Sequence, residues 1–453
     1  MGLGLLGRGV GDAAFLAGAG ADLTVTDLKS PADLATSIDS LKQFKKIRFV
    51  LGKHELEDFQ KVNMGRGADI VVKAAGVPLS SPYILEAEKE NVPVTMSTAL
   101  FAEYTPAKVV GVTGTRGKST VTHLLYEILK AHQDATQETG KVLLGGNVLG
   151  VSTLELLPNS SNGDIAVLEL DSWQLQGFGN SHNKEFPKHP DGFSPPVAVF
   201  TTFMPDHMNY YGGDMERYFA DKANIYRFQQ ERDVLVVSEQ VARFIKKFGP
   251  TPKAKMIVAQ ASDVPSSWKI KIPGEHNRLN IALALRTAQA MGVPERTIER
   301  VVESFKAIPG RLELVRTYRG IDFYNDTNST TPDATIVGLQ SLAKEKKVIL
   351  IFGGADKKLD QKELLKVLPD YTKSLIVLPG SGTDLVKEKL VKISESHNIP
   401  ISFVKSMQEA VDVAIEHARI GDTVLMSPAF ASFGLFKNEY DRGDQFNDIV
   451  NTL

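Results

Sequence analysis

The residues whose types and spacing best suit chemistry are Gly114-Thr115-Arg116-Gly117-Lys118-Ser119-Thr120. An apolar, β-branched run, Val109-Val110-Gly111-Val112, leads into them, and Val121, Leu124, Leu125, Ile128 and Leu129 follow at helical spacing. Strand, glycine loop, Lys-Ser and helix form the context of a phosphate-binding loop. Its glycines let backbone N–H groups turn inward around phosphate oxygens, and the helix N-terminus adds partial positive charge. Lys118 would reach the outer phosphates, and a hydroxyl of Ser119 or Thr120 would hold Mg²⁺. Val112 stands where the strict G-x-x-x-x-G-K-[ST] spacing has its first glycine.

Other candidates lie past apolar strands downstream. Glu169, in Leu168-Glu169-Leu170-Asp171-Ser172, ends an apolar strand, and a carboxylate there suits a hard cation such as Mg²⁺. His207 follows Met204-Pro205-Asp206. Lys222, within Phe219 to Tyr226, reads in isolation as a surface lysine. None of the 9 histidines forms an H-x-x-x-H pair, so no zinc site is expected.

The elements that position these residues alternate between strand and helix, which predicts mainly parallel sheets covered by helices. Gly2 to Gly9 reads as the glycine turn of a Rossmann-like unit, with a helix over 13–17 and a strand over 23–26 ending in Asp27. An acidic residue about 20 positions after such glycines holds ribose in that fold. A first strand is expected before Gly2, so either the start lies upstream or the unit is built without that strand. Further strands are predicted over 48–51, 70–73 and 92–95, then 165–170, 197–200 and 234–237, then 321–324, 348–352, 375–378, 401–404 and 423–426. Residues 180–196 read as a polar surface insertion. Linkers at Thr105-Pro106-Ala107 and Ile308-Pro309-Gly310 give three α/β domains: a Rossmann-like N-terminal domain (1–106), a central P-loop ATPase domain (107–308) and a Rossmann-like C-terminal domain (309–453).

Composition narrows the function classes. A chain of 453 residues with a net charge of −2 shows no electrostatic pull toward nucleic acid or anionic membrane. The absence of cysteine excludes disulfides, zinc-thiolate sites and a Cys nucleophile. No apolar run approaches the ~18 residues of a membrane span, and no signal peptide is expected. A cytoplasmic monomer is the expectation.

In order along nearly the whole chain, the motifs resemble those of the Mur ligase family. The phosphate loop is followed by Gly146-Asn147-Val148, Leu168-Glu169-Leu170, Pro205-Asp206-His207, Asp221-Lys222-Ala223, His276-Asn277-Arg278-Leu279-Asn280, Gly310-Arg311-Leu312-Glu313 and Asn325-Asp326. Ser427-Pro428-Ala429-Phe430-Ala431-Ser432-Phe433, with Phe436-Lys437-Asn438 and Arg442-Gly443-Asp444, is similar to the glutamate-adding branch. The resemblance implies ATP-dependent amide synthesis through an acyl phosphate, with UDP-N-acetylmuramoyl-L-alanine and D-glutamate as substrates. It implies that Gly114 to Thr120, Asn277, Arg311 and Asp326 hold ATP. Lys118, Glu169, His207 and Lys222 would be catalytic. Two Mg²⁺ ions would sit among Ser119, Thr120, Glu169, His207 and a carbamylated Lys222. Leu5, Leu6, Asp27, Lys29 and Asn147 would bind the uridine substrate; Asn328, Thr330, Lys357, Ser432 and Lys437 would lie around the glutamate pocket.

Three departures stand out: Arg116 for the usual Asn, Ala74-Ala75-Gly76 for Ser-Pro-Gly, and Asn328 for a lysine, with Lys357, Lys437 and Arg442 as the cations available to compensate. A folylpolyglutamate synthase-like ligase and a P-loop kinase or ATPase are the alternative readings.

Overall fold

The computed structural model describes residues 1–453 except 5–6, 63–65, 138, 149, 151, 180–188, 190 and 344–347. The chain forms two compact units, one of Met1–Ser266 with Leu279–Val301, the other of Ser267–Arg278 with Val302–Leu453.

The first unit begins with two small parallel pairs, β1 (Leu23–Asp27) with β2 (Ile47–Leu51) and β3 (Val71–Val72) with β4 (Val94–Thr95). Residues 1 and 2 bridge them: Gly2 N–H donates to Thr26 O at 2.8 Å, and Ala74 N–H donates to Met1 O at 2.9 Å. Those two residues occupy the lane expected for a first strand.

The large sheet follows, built from β5 (Lys108–Thr113), β6 (Val142–Gly146), β7 (Ile165–Glu169), β8 (Val197–Phe200), β9 (Val234–Ser238) and β10 (Lys255–Ala259). Its order is β10-β9-β8-β5-β7-β6, parallel throughout. Central strands β5, β7 and β8 are apolar on both faces because helices cover both, as parallel sheets require. The chain leaves β5 toward one edge and β8 toward the other. The crevice between their carboxyl ends is therefore the topological switch point, where open α/β sheets bind ligands.

The second unit holds β11 (Glu313–Tyr318), β12 (Ile321–Asn325), β13 (Val348–Gly353), β14 (Thr372–Leu378), β15 (Ile401–Phe403) and β16 (Thr423–Met426). They run in the order β11-β12-β16-β13-β14-β15, with β11 antiparallel to β12 and the remaining pairs parallel.

Three strands, β6, β10 and β11, were not expected from the sequence, and all three are sheet edges. An edge strand buries less of itself, so its apolar signal thins; Met256 and Val258 of β10 remain 43% and 36% exposed. The stretch 180–196 lies largely outside the described residues. Its end is not a surface insertion: Ser194 Oγ donates to Asn224 O at 2.7 Å, and the Phe193 ring meets Phe178 edge-on.

Candidate functional site

The phosphate loop joins β5 to the helix Lys118–Thr136. Two of its positions need glycine. Gly114 has φ +147, and a Cβ there would sit 1.9 Å from Thr201 Oγ1; Gly117 has φ +84, and a Cβ would sit 2.3 Å from Asn280 Oδ1. The residues following β8 brace the loop from the other side of the switch point. Thr115 N–H donates to Thr202 O at 2.7 Å, Arg116 N–H to Thr202 Oγ1 at 2.9 Å, and Thr201 Oγ1 to Arg116 O at 2.5 Å. Thr201 and Thr202 carry no motif, and sequence reasoning missed them; only their position just past an apolar strand could have pointed to them.

Two lysines converge on one backbone oxygen. Lys118 Nζ donates to Gly114 O at 3.1 Å and Lys222 Nζ donates to the same oxygen at 2.8 Å. Lys222, an apparent surface residue in isolation, is 1% exposed, with Nζ 5.1 Å from the Tyr218 ring centroid. Burial, then the charge of Lys118, holds its amine well below the ordinary lysine range. This arrangement suits either an incoming polyanion or a neutral, nucleophilic Lys222 amine.

The acidic wall lies alongside. Arg116 Nη1 pairs with Asp206 Oδ2 at 3.0 Å. Burial pushes the Asp206 carboxyl up, but Arg116, His207 and Lys118 together hold it below its usual range. His207, at φ +54, precedes the short helix Met208–Tyr211, and its ring centroid lies 4.5 Å from that of Trp173. Burial lowers its pKa. Glu169 is buried; its Oε1 accepts from Asn147 Nδ2 at 3.4 Å, and the Asn147 Oδ1 accepts from Arg8. Ser119 and Thr120 stand in the first turn of the helix Lys118–Thr136. Among the described residues no three His, Asp or Glu side chains cluster as a metal cage. Glu169 and the helix hydroxyls are oxygen donors, the type a hard cation takes.

At the glycine turn, Leu5 and Leu6 lie outside the described residues. Asp27 uses its carboxylate locally: Oδ2 accepts from Gly4 N–H at 3.0 Å and Oδ1 from Lys29 N–H at 2.9 Å. The Lys29 side chain is exposed.

In the second unit, Asp326 follows β12 and is buried between Leu312 N–H, donating at 3.1 Å, and Ser427 Oγ, donating at 2.8 Å. Burial outweighs these bonds and raises its carboxyl to about 6. Asn277 Nδ2 donates to Pro273 O at 2.7 Å, and Arg311 is exposed. Asn328 Nδ2 donates to Gly310 O at 3.1 Å, and Lys357 Nζ to Thr330 Oγ1 at 3.1 Å. Ser432 is buried and Lys437 exposed. Arg442 does not serve as a spare pocket cation. It is 0% exposed and donates to Thr327 Oγ1 at 3.1 Å, Thr327 O at 2.9 Å and Phe430 O at 3.2 Å.

Residues 112–263 match the Mur ligase middle domain, and residues 310–430 match the Mur ligase glutamate ligase domain. The chain is 36% identical to UDP-N-acetylmuramoylalanine--D-glutamate ligase of Borreliella afzelii (strain PKo), over 100% of this chain and 97% of the relative. It is 34% identical to the enzyme of the same name from Roseiflexus sp. (strain RS-1), over 100% of this chain and 98% of the relative. In fold it is similar to the MurF ligase of Thermotoga maritima solved with ADP: TM-score 0.58, 17% identity, 95% of each chain covered. With a phosphate loop at the switch point of its large sheet and full-length relatives of this kind, the chain belongs to the Mur ligase family.

Proposed function

We propose that this protein is an ATP-dependent amide ligase that joins D-glutamate to UDP-N-acetylmuramoyl-L-alanine, a step of peptidoglycan precursor synthesis. The observation that carries the reading is the pair of lysines on Gly114 O, one from the loop and one buried, at the site where phosphates would lie. In the proposed reaction a carboxylate oxygen of the acceptor attacks the γ-phosphorus of ATP and ADP departs. The glutamate amine then attacks the acyl carbon, loses a proton, and phosphate leaves. Lys118 supplies positive charge where the phosphoryl group transfers, and the threonine-braced loop holds that charge without reorganisation. Mg²⁺, when bound, neutralises phosphate oxygens; Ser119, Thr120, Glu169, His207 and Lys222 as its carbamate are the residues that would hold two such ions. Carbamylation joins the neutral Lys222 amine to CO₂ with loss of a proton, turning a cation into an anion.

Asn277, Arg311 and Asp326 are proposed as further ATP contacts. Leu5, Leu6, Asp27, Lys29 and Asn147 are proposed for the uridine substrate, and Asn328, Thr330, Lys357, Ser432 and Lys437 for glutamate. The three segments 1–106, 107–308 and 309–453 are proposed as uridine-substrate, ATP and amino-acid domains. A cytoplasmic monomer fits this reading, and no helix among the described residues is long and apolar enough to cross a membrane.

The test is phosphate release from ATP with UDP-N-acetylmuramoyl-L-alanine and each glutamate enantiomer. Release that needs both acceptor and D-glutamate is expected. Turnover indifferent to either one would leave a kinase or ATPase, and preference for L-glutamate would overturn the stereochemical assignment.

A further inference from the structure

Three Lys or Arg side chains are buried among the described residues: Arg442, Lys222 and Lys73. Backbone carbonyls and the Thr327 hydroxyl answer Arg442, and Lys222 donates to the phosphate loop at Gly114 O. Lys73 has a single carbonyl partner and lies outside the phosphate loop. It follows β3 and is 3% exposed, and its Nζ donates to Val77 O at 3.1 Å. Burial brings its amine down to about 8. With Arg8, Ser97, Gly146 and Gln174 it lines a cavity of about 980 Å³.

The carboxylates that act on Lys73 are Asp171 and Asp221. Both are engaged elsewhere: Asp171 Oδ1 accepts from Gln174 N–H at 2.7 Å, and Asp221 Oδ2 accepts from Gln176 Nε2 at 2.8 Å and Tyr211 OH at 3.0 Å. Both also mark the reacting end of the unit. Asp171 lies just past β7 and its terminal Glu169, and Asp221 immediately precedes Lys222. Lys73 thus brings a charge from the segment that carries the glycine turn to the two carboxylates that also act on Lys222. An ammonium in such a place favours an anionic partner, because one carbonyl does not replace the water it lost.

We propose that Lys73 positions the terminal carboxylate of the acyl acceptor for phosphorylation. The inference rests on the ligase reading and adds a residue to it. Its test is calorimetric binding of UDP-N-acetylmuramoyl-L-alanine and its terminal carboxamide to the full chain, in wild type and Lys73→Met. The amide keeps the uridine diphosphate and removes only the terminal charge. Wild type is expected to prefer the carboxylate by roughly tenfold or more, the scale of a hydrogen bond to a charged group. Lys73→Met is expected to bind both forms with the affinity wild type shows for the amide. Lys73→Gln gives the same comparison if the methionine variant does not fold. A preference that survives in the variant overturns the proposal, as does equal weakening of both ligands, which would give Lys73 a diphosphate or purely structural role. Wild type that binds neither ligand would refute the ligase reading itself, a different outcome.

Discussion

Replacing Lys118 with methionine should unload Lys222. The two Nζ atoms lie 3.1 and 2.8 Å from Gly114 O, which keeps them within about 6 Å of each other. At an effective dielectric near 20, two unit charges at that distance interact by about 3 kcal/mol. The sign depends on the state of Lys222. Against its ammonium the interaction is repulsive and favours the neutral amine; against its carbamate it is attractive. Both effects push the wild type toward carbamylation, so Lys118→Met, which removes the charge and keeps the length, works against it twice. The attractive part alone corresponds to roughly a hundredfold fall in the carbamylation equilibrium. The assay is ¹³C NMR of the full chain titrated with ¹³C-bicarbonate at fixed pH, with Lys222→Ala as the blank. A carbamate resonance is expected in wild type, shifted to far higher bicarbonate in Lys118→Met. Equal saturation in the two proteins, or a wild-type signal that persists in Lys222→Ala, would refute the reasoning.

Gly114→Ala places a Cβ 1.9 Å from Thr201 Oγ1 at φ +147, so the loop must shift; strain of this kind costs about 1–3 kcal/mol, and kcat/KM for ATP should fall roughly 10- to 100-fold while circular dichroism stays native. Unchanged kcat/KM would show that the loop geometry is not required. Asn328→Lys should lower KM for D-glutamate roughly tenfold, since a charged donor replaces a neutral one; KM values unchanged for both enantiomers would place residue 328 away from the amino acid. Asp326, raised from 3.8 to about 6 by burial, holds its proton more tightly folded than unfolded. Its contribution therefore favours folding below pH about 4 and is lost as pH rises through about 6, to the extent of about 3 kcal/mol. Urea melts of wild type against Asp326→Asn should show the wild type losing ground across that window, and parallel curves would reject the shift.

Much of this protein was legible in its residues. The phosphate loop declared itself because a tight turn from strand to helix needs glycine where φ is positive, and Gly114 and Gly117 carry that requirement in their identity. The buried parallel strands were legible because helices cover both faces, leaving unbroken runs such as 197–200 and 423–426. The edges β6, β10 and β11 were not, since a half-exposed strand keeps a mixed pattern.

Tertiary structure decided what the lysines are. Nothing local distinguishes Lys222 from a solvated helix lysine; packing puts it at 1% exposure beside a loop 108 residues earlier in sequence. The same holds for Lys73, brought near Asp171 and Asp221 only by the fold, and for Arg442, whose guanidinium serves Thr327 and Phe430 rather than a ligand. A side chain's chemistry follows its desolvation and its charged neighbours, and both are set by contacts between residues far apart in the chain.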